Sequence, residues 1–201
     1  MKPLTLIFLG PQGSGKGTQL TLLKQYLTEH DPKRNIVHFE MGKNLRELAQ
    51  RDNYTGRYSK EILAGGGLIP YAISTSVFSQ YLIEHLVTDD EHLLIDGFPR
   101  MPSQVPALDS ALIDFYKRKS PTVIFLHLSN EEAAKRLLLR GRDDDTTANI
   151  DKRLKWSQEQ TAQNINWFKS NPAYRVIEID GRQTVPRVQE DIMKALFNGN
   201  Y

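Results

Sequence analysis

At 201 residues the chain has the length of a single domain, enough to bury a sheet and carry a small insertion. Its 26 basic and 24 acidic residues are spread along the sequence and leave a net charge of +2, which argues against a nucleic-acid or anionic-membrane surface. With no cysteine it forms neither disulfides nor thiolate zinc sites, a composition compatible with a reducing cytoplasm.

Met1-Lys2-Pro3-Leu4 leads straight into an apolar, β-branched run, Leu4 to Leu9, and leaves no room for a signal peptide. The run reads as a strand, and Gly10-Pro11-Gln12-Gly13-Ser14-Gly15-Lys16-Gly17-Thr18-Gln19 follows it. Glycines let successive N–H groups turn toward one anion, and a helix starting near Gly15 aims its N-terminal dipole at the same point. Lys16 adds a mobile charge for β- and γ-phosphates, and Thr18 offers a hydroxyl to the phosphates or their Mg²⁺. Leu20, Leu23 and Leu27 give the helix its apolar face to about Glu29, where Asp31-Pro32 stops it.

A strand over 35–39 comes next, then a polar stretch over 40–71 carrying Arg46, Arg51 and Arg57, which reads as a small helical insertion closed by Gly65-Gly66-Gly67. The helix over 72–87 repeats Ile73, Val77, Tyr81, Leu82 and Leu86 as one buried face. Ile62 to Ile83 carries no charge, yet its glycines, Pro70, serines and Gln80 rule out a membrane span. His92 to Ile95 is a buried strand, with Asp96-Gly97-Phe98-Pro99-Arg100 leaving its C-terminal edge.

The stretch 103–117 places Val105, Leu108, Leu112 and Phe115 at helical spacing before a strand over 122–128. Ser129 and Glu132 form a capping box for a helix with Arg136 and Arg140, ended by Gly141. A long helix, 146–168, sets Ile150, Leu154, Thr161, Ile165 and Phe168 along one side and assigns Trp156 and Trp167 to packing. Tyr174 to Asp180 is the fifth strand, and Thr184 caps a last helix with Val188, Ile192 and Leu196 inward. Strands alternating with helices predict an α/β fold, one parallel sheet with helices on both faces, whose ligands bind at the C-terminal strand edge.

Phosphoryl transfer needs position and charge. Arg100 meets that need best, because Pro99 fixes its direction and a guanidinium grips phosphate in two places. Asp96 is suited to a Mg²⁺ held through water. Arg142 stands between Gly141 and Asp143-Asp144-Asp145, while Arg153 on the next helix comes back toward the same loop, where acids would hold the guanidinium forks. The five histidines fall at no metal-ligand spacing, and no nucleophilic triad assembles.

These motifs resemble the adenylate kinases, a family of nucleoside monophosphate kinases, over nearly the whole chain. The ten-residue loop resembles the family's phosphate loop, and Asp96-Gly97-Phe98-Pro99-Arg100 its second motif. Gly42 and Arg46 resemble the start of the monophosphate-binding helix, and Gly67-Leu68-Ile69-Pro70 the segment closing that insertion. Gln104 matches the glutamine that reads adenine, and Arg142, Asp144, Asp145 and Arg153 match the lid hinge. The resemblance implies the P-loop nucleotide kinase fold, with a five-stranded parallel sheet, and reversible transfer of the ATP γ-phosphate to AMP with Mg²⁺, giving two ADP.

It also implies the roles of single residues. Gly13, Ser14, Gly15, Lys16, Gly17, Thr18 and Gly181 would hold the donor nucleotide, and Met41, Arg46, Ile69, Gly97, Arg100 and Gln104 the acceptor. Arg136, Arg142 and Arg153 would hold the transferring group beside Lys16 and Arg100, with Thr18 and Asp96 serving the metal. Three departures stand out: Glu40-Met41-Gly42-Lys43 where the family usually has Ser-Thr-Gly-Asp, a stub lid over 140–146, and the extra acid Asp143. A kinase of CMP or UMP and a non-catalytic nucleotide sensor of the same fold remain as alternatives. The expected partners are nucleotides alone, bound by a cytoplasmic monomer that engages neither nucleic acid nor membrane.

Overall fold

The computed structural model describes residues 1–141 and 145–198. Five parallel strands, β1 (Thr5–Leu9), β2 (Ile36–Glu40), β3 (His92–Asp96), β4 (Thr122–His127) and β5 (Arg175–Asp180), lie in the order β2-β3-β1-β4-β5. Every residue of β1 is buried, as a central strand covered on both faces must be. Its side chains alternate between two cores: Ile7 and Leu9 join the one, Leu6 and Phe8 the other. The parallel sheet expected from the sequence is therefore present, with helices on both faces.

On one face, α1 (Lys16–His30) and α8 (Val185–Phe197) bury Leu20, Leu23, Leu27, Val188 and Ile192. The opposite face is covered by α4 (Tyr71–His85), the short α5 (Val105–Asp109) and α7 (Thr147–Ser170). There Phe78 stacks on Phe98 at 4.3 Å between ring centroids and meets Phe39 edge-on at 5.1 Å. Between β2 and α4 lie α2 (Met41–Ala49) and α3 (Tyr54–Ala64), and α6 (Asn130–Arg140) precedes α7. Ser129 caps α6 by accepting from Glu132 N, and Gly141 ends it at φ 63°, as the sequence predicts, but the other half of the expected capping box is absent because the Glu132 carboxylate accepts from Arg136 instead.

Three expectations change. The centre of the buried stripe of α4 is Ser74, Phe78 and Leu82, while Ile73 is 39% exposed. A one-residue step turns a helix by about 100°, and Phe78 with a hydrogen-bonded Ser74 wins the inner face. Phe115 is 76% exposed, because the backbone widens after α5: Tyr116 N bonds back to Ala111 O and Arg118 N to Leu112 O, longer reaches than the α-helical one. On α7, Thr161 is half-buried and turns toward the ligand cleft rather than the core.

Candidate active site

The order of the strands reverses at β1, so the chain leaves β1 at a crevice above the C-terminal sheet edge. Gly10 begins that exit at φ 139°, and a Cβ there would lie 2.6 Å from Leu126 O. Gly13 is at φ 84°, and its Cβ would meet Ala133 O at 2.9 Å. The loop is thus pressed between β4 and α6, and only glycine fits these two positions. Gly15 is the N-cap of α1, where no side chain caps the helix and no acid occupies the first turn. The unpaired amides and positive dipole end of α1 therefore face the cleft.

Lys16 lies along this loop, its Nζ donating to Gly10 O and Pro11 O at 2.9 Å each and to Ser14 Oγ at 3.4 Å. Burial lowers its pKa to about 8, with Arg100 and Arg140 acting in the same sense against the attraction of Asp96. Asp96 ends β3, beside Phe8 and Glu40 in strand register. Burial raises its pKa, Glu40 adds to that, and Lys16, Arg100 and His38 oppose it.

Gly97 then turns the chain at φ 69°, and Arg100 Nε donates to Gly97 O at 3.0 Å. Arg100 has its pKa lowered to about 10 by burial, with Asp96 opposing and Arg46 and Arg153 reinforcing the shift. A Cβ on Gly42 would lie 3.3 Å from Arg46 Nη1 and 3.6 Å from Arg100 Nη2. Two guanidinium groups therefore meet over a glycine, and Arg46 has no ion pair or hydrogen bond among the described residues. Like charges held this close suit a ligand that brings a dianion between them.

The third wall comes from α6 and α7. Arg136 donates to Glu132 Oε1 at 3.2 Å and to Gly181 O at 2.9 Å. Arg140 pairs with Asp145 through two bonds of 2.9 Å, and Arg153 Nη2 reaches the same carboxylate at 2.7 Å. The Asp145 side chain, fully buried, pairs with both forks. Three successive carbonyls at the end of α3 are also received by α7: Ala64 O by Asn149 Nδ2 at 2.9 Å, Gly65 O by Lys152 Nζ at 2.8 Å, and Gly66 O by Trp156 Nε1 at 3.4 Å. The open cleft between these walls measures about 610 Å³.

Gly13, Gly15, Lys16, Gly17, Thr18, Arg46, Asp96, Gly97, Arg100, Arg136 and Arg153 all line this one cleft. Ser14 is buried beneath the loop. Gly181 packs behind it, donating to His127 O at 2.8 Å, and a Cβ there would lie 3.4 Å from Ser14 O. Three of the residues assigned to the acceptor are not on the wall. Met41 and Ile69 belong to the hydrophobic core, and Gln104, 1% exposed, is hydrogen-bonded to its own surroundings. An apolar side chain beside a motif satisfies a core as well as a ligand, and here the core takes both. Arg142 lies outside the described residues, with Asp143 and Asp144.

The cleft also has residues the sequence reading did not assign to it: Glu40, Lys43, Arg140 and Trp156. Arg140 follows Arg136 by four positions on one helix, a spacing that places both on one face. Trp156 follows Arg153 by three and shares its face, so only Trp167, against Phe168 and Tyr174, serves packing alone. Among the described residues no group of three or more His, Asp or Glu is arranged for a metal, and no helix is long and apolar enough to cross a membrane.

Cations from four separate chain segments surround a loop of amides at the switch point of a parallel sheet, with few acids against them. That combination defines a P-loop phosphotransferase. Comparison of sequences carries the assignment further. The adenylate kinase family profile matches residues 8–173. The chain is 35% identical to an adenylate kinase of Prochlorococcus marinus (strain MIT 9515), over 88% of this chain and 90% of that one. It is 31% identical to an adenylate kinase of Corynebacterium urealyticum over 96% and 99%, and 30% identical to one of Moorella thermoacetica over 96% and 98%. The chain belongs to the adenylate kinase family and is an enzyme of nucleoside monophosphate phosphotransfer.

Proposed function

We propose that the protein transfers the γ-phosphate of ATP reversibly to AMP, giving two ADP, in a Mg²⁺-dependent reaction carried out by a cytoplasmic monomer. The observation that carries this reading is the division of the cations into two sets facing one cleft. Arg46 and Arg100 stand over Gly42 on the acceptor side, with Arg153 acting on Arg100, and Arg136 and Arg140 stand beside the phosphate loop. Donor phosphates rest on the α1 amides, and Lys16 exchanges the carbonyls of Gly10 and Pro11 for phosphate oxygens. Arg46 and Arg100 grip the acceptor phosphate.

An oxygen of that phosphate attacks the γ-phosphorus as the bond to the β,γ-bridging oxygen breaks, and the charge stays on the departing ADP. The acceptor is already an anion, so no general base is required. Arg136 and Arg153, with Arg142 by family resemblance, offset the charge that spreads over the transferring oxygens. The Asp96 carboxylate has no hydrogen bond or ion pair among the described residues, and Thr18 lines the cleft, so both fit a Mg²⁺ held through water. When bound, Mg²⁺ offsets the charge on the β- and γ-phosphates.

With so short a lid, water exclusion depends on arginines such as Arg153 meeting the phosphates rather than on a covering subdomain. The internal bonding of Gln104 favours a second reading, in which CMP or UMP serves as acceptor beside AMP. Purified protein with Mg·ATP and each of AMP, GMP, CMP and UMP, followed for diphosphate formation, tests both. AMP phosphorylated fastest supports the first reading, and no diphosphate with any acceptor ends it.

A further inference from the structure

Among the described residues, every other large apolar side chain of α7 joins a hydrophobic cluster, and Trp156 joins none. No aromatic ring contacts it either, although Trp167 on the same helix meets both Phe168 and Tyr174. Its indole is half-buried and lines the cleft. The ring is nonetheless anchored, because Nε1 donates to Gly66 O at 3.4 Å. The polar edge is thus engaged by backbone at the end of α3, and what remains for the cleft is the apolar surface of the ring.

Leu45 and Leu63 reach the same cleft from α2 and α3, and Gly66 and Gly67 bring it bare backbone. A Cβ on Gly66 would lie 3.1 Å from Asn149 Oδ1, and one on Gly67 would lie 3.0 Å from Ile62 Cγ2. This end of the cleft is therefore a slot with aliphatic, glycine and indole walls, and the acceptor-side cations stand next to it. Arg46 follows Leu45 directly. Arg153, whose charge acts on Arg100, precedes Trp156 by three residues, about 4.5 Å along the helix axis. A ligand whose phosphate sits on Arg46 and Arg100 carries the rest of itself toward these walls, and a flat, uncharged ring suits them.

We propose that Trp156 is a substrate-binding residue of the acceptor site, with its indole stacked on the base of the nucleoside monophosphate. This rests on the assignment of Arg46 and Arg100 to the acceptor phosphate. Every base has a π face, so the contact rewards the presence of a base without choosing adenine over guanine. A rival role, in which the indole only latches the insertion through Gly66, depends on the N–H and is indifferent to whether the ligand carries a base.

The test is calorimetric binding of AMP and of ribose 5-phosphate to wild type, Trp156→Phe and Trp156→Leu, with thermal unfolding as a check on folding. Trp156→Leu should weaken AMP about tenfold and leave ribose 5-phosphate within twofold of wild type. Trp156→Phe keeps a ring face without the N–H and should recover most of the AMP affinity. Equal losses for the two ligands, equal losses of AMP in the two variants, or no loss at all overturns the proposal. If Trp156→Leu does not fold, the emission of Trp156 in the Trp167→Phe background carries the test: AMP should quench it and ribose 5-phosphate should not, and emission unchanged at saturating AMP overturns the stack. Failure of the phosphotransfer reading would show separately, as absent diphosphate formation, because these affinities are measured without turnover.

Discussion

The protein holds its two phosphate sites by different physics. At the loop, backbone amides and the end of α1 do the work, and glycine geometry within ten consecutive residues sets their direction. On the acceptor side, the groups are guanidinium tips, and what aims them is partly local and partly distant: Arg100 against Gly97 and Gln104 close by, its loop at Pro99 against Asn164, and the end of α3 against α7. The first arrangement is built into the backbone and needs only β4 and α6 against it, where Gly10 and Gly13 meet Leu126 and Ala133. The second exists only when the whole domain is assembled, so damage to it should be graded and should spare the donor.

Lys16→Met is the largest expected break. It removes the one side-chain charge inside the loop while leaving its backbone intact, at a cost on the order of 3 kcal/mol in transition-state stabilisation, above a hundredfold in rate. Coupled measurement of turnover and melting temperature checks it. Activity within tenfold of wild type would remove the donor site from the loop.

Glycine substitutions separate the two kinds of site. Gly10→Ala places a Cβ 2.6 Å from Leu126 O at φ 139°, a backbone clash plus a disfavoured conformation, on the order of 1–3 kcal/mol or more in stability. Gly42→Ala meets only the flexible ends of Arg46 at 3.3 Å and Arg100 at 3.6 Å. It should leave the melting temperature unchanged and raise the KM for the acceptor severalfold. If Gly42→Ala unfolds the protein while Gly10→Ala is tolerated, the distinction between the sites is reversed.

The depressed pKa of Lys16 adds a pH test specific to the donor side. Between pH 8 and 10.5 the unfolded chain holds a proton on this lysine that the folded protein has lost. By linkage, the contribution of Lys16 to stability therefore rises with pH across that window. Phosphate binding favours the charged form, so it takes up a proton where the free lysine has lost one. ATP affinity should fall about tenfold from pH 7 to pH 9 through this group alone. Calorimetry in buffers of different ionisation heat detects the uptake, and proton-neutral binding at pH 9 would contradict it.

How much of this the sequence displays follows the same division. The phosphate loop and the βαβ order are local patterns, and both stand in the structure much as the spacing predicts. Arg46 and Arg100 are visible as residues, but not their meeting over Gly42, since nothing local links positions 42 and 100. On α4 the period-3.6 reading selects Ile73 and misses Ser74, because a serine reads as outward until its partner Gln104, thirty residues on, is known. Met41 and Ile69 are misplaced for a related reason: an apolar side chain next to a motif carries no mark of whether core or ligand claims it. Arg140 was within reach, four positions from Arg136.

The smallest effect probes the acceptor side most directly, at the seam between α3 and α7. Lys152 Nζ donates to Gly65 O at 2.8 Å at the C-terminal end of α3, where a cation also complements the helix dipole. Asn149 and Trp156 donate to the carbonyls on either side of it. Lys152→Met keeps the aliphatic stem and removes the donor and the charge, so the insertion should swing away from α7 more often. With one modest hydrogen bond lost, the KM for AMP should rise about fivefold while ATP affinity holds. Trp156 reports the same event, since its indole loses the Gly66 carbonyl as the seam opens and its emission should shift in the Trp167→Phe background. An equal loss of ATP and AMP affinity in Lys152→Met would mean that the seam also positions Arg153, the next residue on the helix. The two sites would then share one support, and the acceptor side would no longer be separable from the donor.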